Sequence, residues 1–153
     1  MDPEIKVKIK YLSPEAKEQS LHYATDHAVG LDLRAWTGER DVDIEPGQRR
    51  PFGSGIALEI QTPGIAGFVF SRSGLGTKQG IVVSQGVGVI DPDYRGEIIV
   101  SLMNTSPAVR TITHGQRVAQ LVFMPAFQAR LVEVSQLGET RRGAEGFGHS
   151  GTH

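Results

Sequence analysis

Between Ile5 and Lys10 apolar and basic residues alternate one for one, Ile5, Val7 and Ile9 against Lys6, Lys8 and Lys10. That is the period of a strand with one buried face. Leu31 and Leu33 flank Asp32, and Val42 and Ile44 lie among Asp41, Asp43 and Glu45, so both pieces read as half-buried strands. After Pro46-Gly47 turns the chain, strands are predicted over Ile56 to Ile60 and Ile65 to Phe70. Pro63-Gly64 separates them, a turn pair because Pro fixes φ and Gly accepts positive φ. Ile81 to Val83, Val87 to Ile90, Ile98 to Met103 and Val118 to Phe123 are mostly apolar on both faces and predict central strands. Ser106-Pro107 and His114-Gly115 punctuate the last two, and Leu131 to Val134 predicts one final strand. Long helical periodicity is missing. A short helix is predicted over Ser73 to Lys78 with Ser73 as its N-cap; the polar stretch from Ser13 to Asp26 fits either a helical turn or a loop.

Short Val- and Ile-rich runs closed by Gly, Pro or Asp are the signature of an all-β sandwich or barrel. At 153 residues the chain is one domain in length, large enough to bury about 70% of its unfolded surface. From Gly138 onward glycines recur without an apolar period, so the expected organisation is a core over residues 1–137 and a mobile arm over residues 138–153. Sixteen basic against seventeen acidic residues leave no global field, which argues against nucleic acid as a partner. Any anionic ligand must then be held by local groups. The chain has no cysteine, so disulfides, thiolate metal sites and a thiol nucleophile are excluded. No apolar run approaches the ~18 residues of a membrane span, and the N-terminal pattern is that of a strand rather than a signal peptide. A cytoplasmic protein with no membrane partner is the expectation.

The candidate chemistry is concentrated between Phe70 and Glu97. Arg72-Ser73-Gly74 offers a guanidinium, a hydroxyl and N–H groups at a helix start, all suited to phosphate oxygens; the same turn also reads as an ordinary capped turn. Lys78 lacks the G-x-x-x-x-G-K-[ST] spacing of a P-loop. Gly86 and Gly88 would let a hairpin splay and present backbone donors and acceptors to a planar ligand, or mark a bulged hairpin with no ligand. Asp91-Pro92-Asp93-Tyr94 places a carboxylate after an apolar strand end, stiffened by proline, with a ring face beside it. The competing reading is a charged surface turn. Farther on, strict alternation puts Arg117 and Ala119 on one face, and Val118 and Gln120 on the other, with Gln120 either a satisfied buried amide or a ligand contact. Arg142 and Phe147 among the tail glycines are what a closing lid carries, and equally what a disordered terminus carries.

In order along the chain, Ala28 to Ala35 (AVGLDLRA), Ser71 to Gly76 (SRSGLG), Gly86 to Glu97 (GVGVIDPDYRGE), Gly115 to Phe123 (GQRVAQLVF) and Arg142 to Gly151 (RGAEGFGHSG) resemble the five motifs of the trimeric dUTP pyrophosphatases. The resemblance implies a jelly-roll-like β fold, a homotrimer with shared sites, and Mg²⁺-assisted hydrolysis of dUTP to dUMP and pyrophosphate. It makes Asp91 the base that activates water and Tyr94 the ring that packs on deoxyribose. By the same likeness, Gln85, Val89, Ile90 and Ile99 surround uracil, read through the backbone, while Arg72, Ser73, Gly74 and Gln120 hold the phosphates. Asp32 would orient Mg²⁺-bound waters or neighbouring side chains, with no direct protein ligand to the metal. Arg142, Phe147, Gly148, His149 and Ser150 would close over the nucleotide from another subunit.

Two rivals share this outline. In dCTP deaminases, which are similar in fold, a glutamate a few residues beyond the aromatic corner runs deamination; the matching position here is Ser101, which cannot serve as that base. A non-catalytic, nucleotide-sensing trimer is the other, and the presence of Asp91, Tyr94, Arg72 and Arg142 argues against a decayed site.

Overall fold

The computed structural model describes residues 4–144. Two four-stranded antiparallel sheets face each other. In the first the order is β1 (Val7–Tyr11), β4 (Arg49–Ile60), β8 (Glu97–Asn104) and β6 (Ile81–Val83). In the second it is β2 (Gly30–Ala35), β10 (Gln116–Pro125), β5 (Ile65–Ser71) and β7 (Gly88–Ile90). A small ribbon pairs β3 (Val42–Ile44) with β9 (Arg110–Ile112). The arrangement is mostly β and jelly-roll-like, as the strand pattern and the resemblance led one to expect.

The core lies between the two sheets. Leu33 and Leu121 come from one side and Ile98, Val100 and Leu102 from the other, all essentially free of solvent. Each large aliphatic side chain so buried contributes roughly 1.5–3 kcal/mol. Alternation is clean in β2, where Leu31, Leu33 and Ala35 point inward and Asp32 and Arg34 stay partly exposed. That alternation delivers Asp32 to the outer face of the sandwich.

Several expectations are corrected. Of the two readings left open for the polar stretch after Ser13, the helical one holds for α1 (Pro14–Glu18), its start capped by the Ser13 hydroxyl accepting from Ala16 N at 3.1 Å, so the chain has two short helices where one was predicted. The predicted helix is α2 (Ser73–Gln79), but its N-cap is Arg72, in extended conformation, and Ser73 is already helical. Gly80 ends it with φ +70°, a left-handed conformation that a Cβ would penalise. Although apolar on both faces, β6 and β7 are edge strands of this chain and not central ones. Nor do they form a ladder with each other, since β6 pairs with β8 and β7 with β5, in opposite sheets. β9 has too few apolar residues to have been read from the sequence.

In β10 a register shift between Arg117 and Ala119 interrupts the alternation, so Val118, Ala119 and Leu121 all enter the core and Gln120 does not share a face with Val118. The predicted strand at Leu131 to Val134 is absent. Beyond β10 the described chain has no strand or helix, and Leu131, Val132 and Val134 are 91%, 72% and 55% exposed. An apolar run becomes a strand only where a partner edge accepts it, and among the described residues none does.

Asn104, fully buried, ties the end of β8 to the β3–β9 ribbon. Its Nδ2 donates to the carbonyls of Ile44 at 2.8 Å and Ala108 at 2.7 Å, and its Oδ1 accepts from the Ser106 amide at 2.9 Å. Asn104→Ala would strand these buried groups and leave a small cavity. The expected loss is about 2–4 kcal/mol of unfolding free energy. Urea titration measures it, and a loss below ~0.5 kcal/mol would contradict this reading of the amide.

Candidate active site

The antiparallel pairing of β7 with β5 sets Ile90 opposite Gly67, Val89 opposite Phe68 and Gly88 opposite Val69. With β6 and β7 diverging into opposite sheets, a cleft opens between β7 and β8. Its volume is about 230 Å³, and Val83, Gln85, Gly88, Val89, Ile90, Asp91, Tyr94 and Ile99 are among the residues that line it. That volume is below the ~300 Å³ at which pockets burying a drug-sized ligand begin, so the cleft of one chain takes in only part of a larger ligand. Val89 and Ile99, 59% and 49% exposed, are apolar side chains left open to it.

Asp91 leaves the end of β7 at the rim of this cleft, exposed. The turn behind it is closed by Tyr94 N donating to Asp91 O at 3.1 Å, and Arg95 bonds back to the carbonyls of Pro92 at 2.7 Å and Tyr94 at 3.1 Å. The Tyr94 hydroxyl donates to Glu97 O at 2.9 Å, which pins the ring over Gly96. A Cβ at Gly96 would lie 2.6 Å from the phenol Cζ, so only glycine lets the ring lie there. Glu97, which the sequence reading left without a role, accepts from Gly55 N at 2.8 Å and anchors the start of β8 to β4.

A second group forms around Asp32. Its Oδ1 accepts from Arg72 Nε at 2.9 Å and from Gln120 Nε2 at 3.4 Å, and its Oδ2 accepts from Arg117 Nη1 at 3.1 Å. Arg72 also donates to Arg117 O at 3.3 Å. Asp32 keeps only 17% of its side-chain exposure, and one carboxylate between two guanidiniums leaves this group with net positive charge. That is the electrostatics an oxyanion needs. Arg117 was not singled out from sequence. Its partnership with Asp32 follows from β10 lying next to β2, which periodicity cannot reveal. Helix geometry leaves the N–H groups of Ser73 and Gly74, both exposed, without intrahelical acceptors.

One chain does not join these two groups. Asp91 follows Ile90 and so stands beside Ala66 at the start of β5, while Arg72 follows its end. Six residue steps of strand separate them, roughly 20 Å along the strand axis. The Arg72 guanidinium leans farther off, onto Asp32 of β2, the opposite edge of the sheet from β7.

Of the lid residues expected from sequence, Arg142 is described and exposed, in a bend beside Gly143, whose amide bonds Thr140 O at 3.1 Å. Phe147, Gly148, His149 and Ser150 lie outside the described residues. Among the described residues no group of three or more His, Asp or Glu could cage a metal ion.

A family model described as dUTPase matches residues 16–151. A deoxyuridine 5'-triphosphate nucleotidohydrolase of Desulfitobacterium hafniense is 44% identical over 147 residues, covering 96% of this chain and 97% of that one. The enzyme of the same name from Ectopseudomonas mendocina is 50% identical over 131 residues, 86% of each chain. Among solved structures, the Staphylococcus bacteriophage 80alpha dUTPase with dUPNHPP superposes with TM-score 0.81 at 24% identity, over 95% of this chain and 98% of that one. A dUTPase mutant from phage phi11 of S. aureus, described with a structural Mg(II) ion, gives 0.75 at 21%, over 88% and 99%. These last two likenesses are of fold. The family match spanning nearly the whole sequence and the close relatives together establish that this chain belongs to the dUTPase family.

Proposed function

We propose that this chain hydrolyses dUTP to dUMP and pyrophosphate. The observation that carries the reading is the position of Asp91 on the rim of the cleft between β7 and β8, fixed there by the β5–β7 register. The names of the relatives support the substrate. With the base between β7 and β8 and the sugar against Tyr94, the α-phosphate emerges beside Asp91. The carboxylate accepts a proton from water as that water attacks the α-phosphorus, and the bond from phosphorus to the bridging oxygen of pyrophosphate breaks. Such a reaction keeps uracil out of DNA and supplies dUMP for dTTP synthesis.

The donor set suits Mg²⁺ bound through the substrate. Asp32 commits both oxygens to arginines, whereas Asp91 and Asp93 are exposed and would hold such an ion only through bridging waters. When bound, the ion offsets charge on the triphosphate and the departing pyrophosphate. Asp32 orients Arg72 and Arg117 toward the phosphates instead.

The separation of Asp91 from Arg72 supports sites shared between copies in a homotrimer, because the phosphates of one nucleotide cannot meet both groups of one chain. Phe127, Leu131 and Leu137, 91%, 91% and 87% exposed, support the same conclusion, since apolar side chains at this density call for cover from a neighbour. In that assembly Arg142 and the residues after it close over the nucleotide of another subunit. Deamination of dCTP finds less support. Ser101 bonds Ser84 at 2.8 Å and is not among the residues that line the cleft.

Asp91→Asn is expected to bind dUMP as the parent does and to lose turnover of dUTP by about 10²–10⁴-fold. Pyrophosphate release at saturating substrate measures this, and full activity in the variant removes Asp91 from the mechanism. Truncation before Arg142 should keep the melting temperature within a few degrees while slowing hydrolysis at least ~10²-fold. An unchanged rate there means the arm is no lid. Chelation with EDTA should lower the rate, restored by added Mg²⁺; indifference to both would contradict a metal-assisted reaction.

A further inference from the structure

The alternation that delivers Asp32 to the outer face of the sandwich delivers Arg34 there as well, and the β2–β10 register sets Arg34 directly opposite Arg117. Two cations facing each other across a strand pair are unfavourable. Asp32 relieves only one of them, since its oxygens accept from Arg72, Arg117 and Gln120. Among the described residues Arg34 has no carboxylate partner; its one side-chain hydrogen bond runs from Nη1 to Gly115 O at 2.7 Å. Beside the pair lies a small cleft of about 40 Å³, with Gln19, Ser20, His22, Asp32, Arg34 and Arg117 among its walls. A single water occupies roughly 10–15 Å³ on that scale, so the space takes a phosphoryl group but neither a base nor a sugar. His22 sets a further condition. Its Nδ1 lies 2.8 Å from Ser20 O, and because a carbonyl only accepts, the proton is on Nδ1. Nε2 can then donate only when the ring is an imidazolium.

We propose that Arg34 and the His22 imidazolium, with Arg117, form a subsite for a phosphoryl oxyanion next to the Asp32 group, and that filling it takes up a proton at His22. An incoming oxyanion turns the unfavourable Arg34–Arg117 pair into a favourable one, each guanidinium gaining a charge-assisted hydrogen bond. The charged groups that share the cleft with the ring are Asp32, Arg34 and Arg117, and the oxyanion adds negative charge among them, which stabilises the imidazolium. The inference rests on the dUTP reading above and deepens it: the subsite measures the length of the phosphate chain and tells a triphosphate from a monophosphate. Free inorganic phosphate offers the same oxygens, and the experiment separates the two sources.

Isothermal titration of the full chain with dUMP, a non-hydrolysable imido analogue of dUTP and inorganic phosphate, each in two buffers of different ionisation enthalpy, reads affinity and proton uptake together. The chains compared are the parent, Arg34→Gln, Arg34→Lys and His22→Gln. Arg34→Gln is expected to weaken the analogue about 10-fold, the range of one charge-assisted hydrogen bond, and to leave dUMP unchanged, while Arg34→Lys recovers part of the loss. The parent should bind the analogue more tightly as pH falls, with a proton uptake that His22→Gln removes. Dependence on Arg34 shown by inorganic phosphate but not by the analogue upholds the subsite and assigns it to the free anion. Equal losses for dUMP and the analogue, no loss for either the analogue or phosphate, or proton uptake undiminished in His22→Gln would each overturn it. A parent that binds phosphate through Arg34 but neither nucleotide would overturn the substrate reading and leave the subsite standing.

Discussion

The pairing of β7 with β5, Ile90 opposite Gly67, is the constraint on which the site depends. A strand register cannot slip by one residue without turning every side chain to the other face. Here a slip of β7 against β5 would carry Ile90 out of its packing against the core and turn exposed Val89 toward it. The core therefore fixes where the chain leaves β7, and with it the place of Asp91. The turn beyond has little freedom of its own, since Tyr94 is bonded to Glu97 O and Glu97 to the backbone of β4. The Asp91 carboxylate, on an exposed loop, is thus held in place by its neighbouring strands.

The same register sets the cationic group apart. β5 runs from the level of Asp91 to Arg72, and β10 beside it carries Gln120 and Arg117 to Asp32. Two arginines on one carboxylate would contribute little at the surface, but Asp32 is largely shielded and its hydrogen bonds are direct. Their fixed orientation matters more than their contribution to stability. In the anion-binding role proposed above, such pre-oriented groups would lose less entropy on binding than mobile side chains. Among the described residues no lysine or arginine lines the cleft beside Asp91, and the two arginines lie at the other end of β5.

Much of this was legible in the sequence because each strand buries one face. Alternation found β2 with its outward Asp32, and the Pro-Gly and Asp-Pro pairs found the turns. What periodicity could not supply was partnership. It gave β6 and β7 as a hairpin because they are adjacent in sequence, whereas each finds a better apolar face in a different sheet. It placed Gln120 with Val118 because a bulge leaves no mark in the pattern. Leu131 to Val134 reads as a strand because its residues would form one, given an edge that this chain alone does not offer. Arg117 and Glu97 carried no role for the same reason, their partnerships arising from contacts between strands far apart in sequence.

The central claim is that Asp91 of one copy and Arg72 of another meet on the same nucleotide. Mixing Asp91→Asn and Arg72→Ala chains, each nearly inactive, by unfolding and refolding them together tests it most directly. If sites are shared, roughly a quarter of them in randomly mixed trimers receive both intact residues, and dUTP hydrolysis returns to about that fraction of the parent rate. Mixed trimers verified by native mass spectrometry that hydrolyse dUTP no faster than the two variants alone would contradict the account.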